Sequence, residues 1–109
     1  MNISSSYFSG RLTLFLSGEL DHHEARGLLG SIDDLIEEFM PRECVLELSG
    51  LCFMDSSGIA VIVRSAEKMR LLRGRLSIEN PSAQVMRVLE AAGIERLVPV
   101  TSGNTGGLL

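Results

Sequence analysis

"LCFMDSSGIAVIV", residues Leu51 to Val63, decides how the chain is read. An apolar segment runs into Asp55, two adjacent serines and Gly58, and five apolar residues follow. The first half reads as the end of a buried strand. In the second, Ile59, Ile62, Val63, Ala66 and Met69 recur at helical spacing, while Arg64, Glu67, Lys68 and Arg70 take the other faces. Asp55, Ser56 and Ser57 therefore stand at a strand-to-helix seam. Helix capping accounts for one polar residue there. It does not account for three in a row followed by Gly58, where a helix prefers a side chain. That glycine reads as a place where another molecule's backbone comes close.

Working upstream, "ECVLE" (43–47) continues the buried strand, with Ser49-Gly50 as a turn leading toward Asp55. Cys44 and Cys52 both fall in apolar stretches and read as reduced core thiols, since no CxxC or Cys/His spacing points to zinc. Before this strand, Ala25, Leu28, Leu29, Ile32, Leu35, Ile36 and Phe39 form one helical stripe. Asp21 with Glu24 resembles a capping box, and Pro41 closes the segment. "RLTLFLSG" (11–18) alternates as a strand does, and "NISSSYF" (2–8) is a weaker strand joined to it through a Ser9-Gly10 hairpin turn. Downstream, Gly74 stops the second helix and "RLSIE" (75–79) is a strand. A third helix opens with Asn80 as cap and Pro81 in its first turn, and ends at Gly93 with Ile94 as its apolar closure. "RLVPV" (96–100) is a last strand.

The order β-β-α-β-α-β-α-β predicts an α/β domain: a mostly parallel sheet with one antiparallel pair at its start, flanked by helices. Residues 1–100 form this domain, and 101–109, "TSGNTGGLL", read as a flexible tail. "GELDHH" and "MDSSG" both follow strands. If those strands are parallel, the two polar junctions share one end of the sheet, where functional groups collect in such folds.

The 109 residues suit one domain, and 45% hydrophobic with 22% charged residues is a globular composition. A net charge of −4 with no long run of either sign argues against nucleic-acid or anionic-membrane binding. "MNISSSYFSG" is no signal peptide, and five-residue apolar runs fall far short of the roughly 20 residues of a membrane span. A soluble cytoplasmic protein is expected.

Three chemistries compete for the seam. For nucleophilic catalysis Ser56 or Ser57 would attack with His22 or His23 as base. But no G-x-S-x-G elbow is present, Asp55 adjoins the serine instead of backing a histidine, and adjacent histidines diverge by about 100° on a helix. For nucleotide binding the multi-glycine loop and lysine are missing, and Asp55 repels phosphate. Modification uses every feature. A phosphate brings about −1.5 to −2 charge. The helix dipole returns about 0.3–1 kcal/mol, so the fold survives. Against a partner carboxylate ~5 Å away, each unit of charge costs about 3 kcal/mol at an effective dielectric near 20. A modified seam thus changes binding more than folding.

"GELDHHEA", "FMDSSGIAVIV" and "NPSAQVMRVLEAAGI", in that order over Leu12 to Val100, resemble the bacterial anti-sigma factor antagonists, the free-standing STAS domains of the type that regulates the sporulation sigma factor. The resemblance implies a STAS-type sheet of four or five strands and a partner-switching role without catalysis, cofactor or metal. The unphosphorylated form binds an anti-sigma factor and frees the sigma factor. That anti-sigma factor is a serine kinase, which inactivates its antagonist, and a metal-dependent serine phosphatase resets it. By motif position Ser56 is the phosphoacceptor. Asp21, Asp55, Ser57 and Gly58 shape the partner-binding surface. Alternatives are a STAS module that senses a ligand or docks in a stress-signalling complex, and a small serine hydrolase. The family's further C-terminal amphipathic helix has no counterpart in "TSGNTGGLL". Arg64, Lys68, Arg70, Arg73 and Arg75 read as a solvated face, with a partner surface as the alternative, and Asp33, Asp34, Glu37 and Glu38 as its acidic counterpart. Phe53 and Met54 read as core.

Overall fold

A computed structural model describes residues 1–102; the tail residues 103–109, and with them the question of a last helix, lie outside the described residues. Five strands line up in chain order: β1 (Asn2–Phe8), β2 (Arg11–Leu20), β3 (Glu43–Met54), β4 (Arg75–Glu79) and β5 (Val100–Thr101). β1 is antiparallel to β2, and every later pairing is parallel. The crossovers are α1 (His22–Phe39), α2 (Ser56–Leu71) and α3 (Ala83–Ala91), the last followed by a short 3-10 turn over Ile94–Arg96. The expected mixed sheet and its helices are all present.

Strand alternation builds the core. Leu12, Leu14 and Leu16 of β2, Cys44, Leu46 and Leu48 of β3, and Leu76 and Ile78 of β4 are buried together with Leu28, Ile32 and Ile36 of α1, Val61, Ile62 and Met69 of α2, and Val85 and Leu89 of α3. Three helices thus share one face of the sheet. On the other face Arg11 crosses to Glu79, with Nη2 2.8 Å from Oε2.

Several local expectations are revised. Ser49-Gly50 is no turn, because β3 runs unbroken through it. β3 instead carries one extra residue relative to β2 between Glu47 and Gly50, and another between Leu51 and Phe53. Gly50 permits this, since a Cβ there would sit 2.9 Å from Ser17 Cβ. The second irregularity turns Cys52 and Phe53 to the surface, so neither is core, while Met54 is fully buried as expected. In α2 the buried face is Gly58, Val61, Ile62, Ser65 and Met69; Val63 is exposed. Ser65, a polar residue on the buried stripe, hides that face from an apolar pattern.

Chain ends of helices also differ. Arg73, not Gly74, takes the left-handed conformation after α2 (φ 62°). Gly74 is needed for space, as a Cβ would lie 2.7 Å from the Arg42 carbonyl oxygen. Ser82, not Asn80, caps α3, its Oγ accepting from Val85 N–H at 3.3 Å. Asn80 is left-handed (φ 58°) and donates to Glu47 Oε2 at 2.8 Å. Gly93 does end the α3 region with φ 69°, and Ile94 is buried behind it. The last strand shrinks to Val100–Thr101, because Ile94–Arg96 form the 3-10 turn and Pro99 has no N–H for a ladder. Thr101 pairs with Glu79, so the first tail residue belongs to the sheet. The Ser9-Gly10 hairpin forms as expected, with φ 51° and 83°.

Candidate functional site

β2 and β3 are parallel neighbours whose ends align, Leu20 beside Met54. Asp55 N–H donates to the Leu20 carbonyl at 3.2 Å. Both polar junctions therefore meet at one end of the sheet. Each strand ends in an aspartate with extended backbone, and each aspartate caps the next helix. Asp21 Oδ1 accepts from His23 and Glu24 N–H at 3.0 and 3.1 Å. Asp55 Oδ1 accepts from Ser57 N–H at 2.8 Å. These bonds satisfy N–H groups that a helix start leaves unpaired. Glu24 does not close a capping box; its carboxylate lies 3.8 Å from the N-terminal ammonium of Met1.

Ser56 is the first residue of α2 and is exposed, whereas Asp55 and Ser57 are half-buried. Among the described residues the Ser56 hydroxyl has no hydrogen-bond partner. It stands at the positive end of the α2 dipole, where added negative charge is tolerated. Asp55 is committed to its cap.

Gly58 has another reason than the one expected. It is buried, and a Cβ there would fall on Met54 Cγ, 2.5 Å from its Sδ and 3.1 Å from Leu20 Cδ2. The space beside Gly58 is filled by the protein's own Met54 and not left open for a visitor.

Neither histidine bonds to Ser56 among the described residues. Both are exposed, and instead of diverging their rings tilt together with centroids 4.0 Å apart. With Asp55 turned to Ser57, the base and orienter of a hydrolase are not assembled. Among the described residues no cluster of three or more His, Cys, Asp or Glu side chains is arranged for a metal, and no helix is long and apolar enough to cross a membrane.

Sequence reasoning missed Gln84. From α3 its Nε2 donates to the Met54 carbonyl and its Oε1 accepts from Met54 N–H, both at 3.0 Å. A glutamine in the first turn of an amphipathic helix carries no signal of such a bond. Nor was Glu47 singled out. Burial opposes its charge, but hydrogen bonds from Asn80 and Ser49 prevail and hold its carboxyl below the usual range.

Three residues of the basic cluster have acidic partners. Lys68 reaches Glu37 of α1 at 2.6 Å, Arg70 reaches Glu67 at 2.8 Å, and Arg75 lies 3.7 Å from Glu43. The Glu37 hydrogen bond raises the Lys68 ammonium above its ordinary value. Cys44 and Cys52 separate sharply: burial pushes the Cys44 thiol up to about 12, while Cys52 is exposed with Sγ 3.2 Å from the Gly18 carbonyl oxygen.

Comparison with known proteins agrees with this architecture. The STAS domain family model matches residues 5–104. An anti-sigma F factor antagonist of Paenibacillus polymyxa is 30% identical over 108 residues, covering 99% of this chain and 92% of that one. The solved structure of the anti-sigma factor antagonist SpoIIAA in its unphosphorylated form superimposes with a TM-score of 0.81 at 23% identity, covering 94% of this chain and 89% of that one. The Bacillus cell fate determinant SpoIIAA in its phosphorylated form gives 0.72 at 22% identity, covering 94% and 92%. The family model spans nearly the whole chain, and this chain belongs to the STAS domain family.

Proposed function

We propose that the protein is a cytoplasmic anti-sigma factor antagonist switched by phosphorylation of Ser56. The observation that carries this is the Ser56 hydroxyl: exposed and unbonded at the first position of α2, beside an aspartate committed to its cap, whereas Ser57 is half-buried. Relatives named as anti-sigma factor antagonists, and a structural neighbour described in both unphosphorylated and phosphorylated forms, support the same reading. The chain is a regulatory binding protein and not an enzyme.

In the unmodified state, the surface around Ser56, with Ser57 and the two capping aspartates Asp21 and Asp55, docks on an anti-sigma factor. Gly58 lies beneath and lets α2 start close to Met54. The partner acts as the kinase. Ser56 Oγ attacks the γ-phosphorus of ATP, an O–P bond forms as the bond to the β–γ bridging oxygen breaks, ADP leaves, and the hydroxyl proton passes to a base on the kinase. The dianion disfavours docking by like-charge repulsion, and a metal-dependent serine phosphatase restores the hydroxyl.

Intact-mass and fragment mass spectrometry after incubation with an anti-sigma kinase and Mg-ATP tests this on wild type, Ser56→Ala and Ser57→Ala. One phosphate is expected on wild type and on Ser57→Ala, and none on Ser56→Ala. Phosphate on Ser57 would move the acceptor by one residue. Neither modification nor binding would overturn the switch and favour a ligand-sensing STAS module.

A further inference from the structure

We infer that Gln84 is a positioning residue for the Ser56 switch, a latch that sets where the phosphoacceptor turn stands. The inference rests on the proposed function for its consequence but on geometry for its existence. β4 accompanies β3 only as far as the pair Glu47 and Glu79. Beyond that point Leu48–Met54 have no strand on the β4 side, and backbone groups there need other partners. At Met54, the last strand residue before the seam, Gln84 supplies both partners. Its amide presents one donor and one acceptor, as a neighbouring peptide would, and bonds the carbonyl and N–H of the same residue at 3.0 Å each. On the opposite side the next residue, Asp55, is tied to Leu20 of β2.

The end of β3 is thus held from both sides, by a strand on one and by a single side chain on the other. Asp55 follows immediately, and its carboxylate fixes the first turn of α2. Any slack at Met54 passes directly to Ser56. A second bond, from Asn80 to Glu47, fastens the chain leading into α3 to the same strand at the point where β4 ends. Few side chains can replace the glutamine. Asparagine is shorter by a methylene, and ionised glutamate accepts but cannot donate to the Met54 carbonyl.

The test compares wild type with Gln84→Ala and Gln84→Glu. By NMR hydrogen exchange, the Met54 amide should lose at least about tenfold protection in Gln84→Ala, as a released backbone donor does. Kinase assays with the same proteins should show kcat for Ser56 phosphorylation falling by about ten- to a hundredfold with little change in KM, because misplacement of the acceptor costs rate rather than docking. Gln84→Glu supplies a readout that a merely structural role would not move. At neutral pH the Asp55 and Ser57 amide peaks should be displaced. On acidification the protonated carboxyl regains a donor, and those peaks should return toward wild-type positions recorded at the same pH. No such return is expected in Gln84→Ala. Should Gln84→Ala fail to fold, Gln84→Glu on its own carries the test.

Wild-type exchange at Met54, or wild-type phosphorylation kinetics with the latch removed, would overturn the inference. If the wild-type protein itself is never phosphorylated, the functional reading fails, while the exchange and pH data still decide whether Gln84 sets the turn.

Discussion

Replacing Gly58 with alanine should destabilise the protein even though alanine is the better helix former. Intrinsic propensity alone favours the change by about 1 kcal/mol within a helix. Sterics oppose it. The new Cβ would fall on Met54 Cγ and come within 2.5 Å of its Sδ, and Met54 is only 1% exposed, so its side chain has no solvent to swing into. Leu20, at 3.1 Å, closes the other side. Overpacking of this kind costs about 1–3 kcal/mol, so a net loss of about 1 kcal/mol is expected. That corresponds to a Tm lower by about 4–8 °C for a domain of this size. A double-mutant cycle by urea denaturation isolates the cause. Met54→Ala alone should cost about 2–5 kcal/mol through its cavity. In that background the Met54 obstruction is gone and Leu20 has room to give by a few tenths of an ångström, so Gly58→Ala should become stabilising by up to about 1 kcal/mol. The sign reversal, a coupling of about 2 kcal/mol, is the diagnostic quantity. Equal effects in both backgrounds, or stabilisation in the wild type, would refute the view that Met54 is why residue 58 is glycine.

Other outcomes follow from the same geometry. Asp55→Ala removes the 2.8 Å cap on Ser57 and should cost about 1 kcal/mol, measurable by urea midpoint, with Asp55→Asn retaining most of it. Alkylation of the native protein at pH 8 should label Cys52 alone, with Cys44 reacting only after denaturation, as peptide mapping would show. Because the folded Cys44 thiol keeps its proton up to about 12 while the unfolded one releases it near 9, stability is full below pH 9. Above that the Cys44 contribution should fall by about 1.4 kcal/mol per unit, a share of the alkaline slope that Cys44→Ala should remove. Glu47 acts with the opposite sign. Its lowered carboxyl stabilises the fold above the ordinary 4.5 and loses that contribution as pH falls through the lowered value, so Glu47→Gln should flatten the acid limb of a stability–pH profile.

Much of this fold is written in periodicities. The alternation Leu12, Leu14, Leu16 and the stripe through Leu28, Ile32 and Ile36 survive unchanged as buried faces. So did the prediction that "GELDHH" and "MDSSG" share an end of the sheet, because parallel strands leave no other arrangement. What escaped was long-range. Strand bulges depend on how two backbones fit, so Ser49-Gly50 looked like a turn, and Cys52 and Phe53 looked buried. Arg73 and Asn80 adopt left-handed conformations that sequence rules assign first to glycine. At the site, Asp21 was legible as a cap from local chemistry, but which of Asp55, Ser56 and Ser57 caps α2 was not, and Ser56 stood out only through the family resemblance. Gln84 was not legible at all, since its partner lies thirty residues away on another element. Gly58 was noticed for the wrong reason, because a missing side chain does not say which molecule fills its place.

Strand order that follows chain order has a bearing on biosynthesis. Each strand pairs with the one made just before it, so a ribosome can release this sheet one strand at a time, without a bare gap waiting for a later segment. The hairpin β1–β2 emerges first, α1 and β3 join it next, and Asp55 and Ser56 leave the exit tunnel well before α3 does. During that interval the serine is present, but the glutamine that fastens its turn is not. A nascent chain stalled before Gln84 should therefore display an acceptor that is phosphorylated slowly, and full competence for switching would arrive only with the last helix.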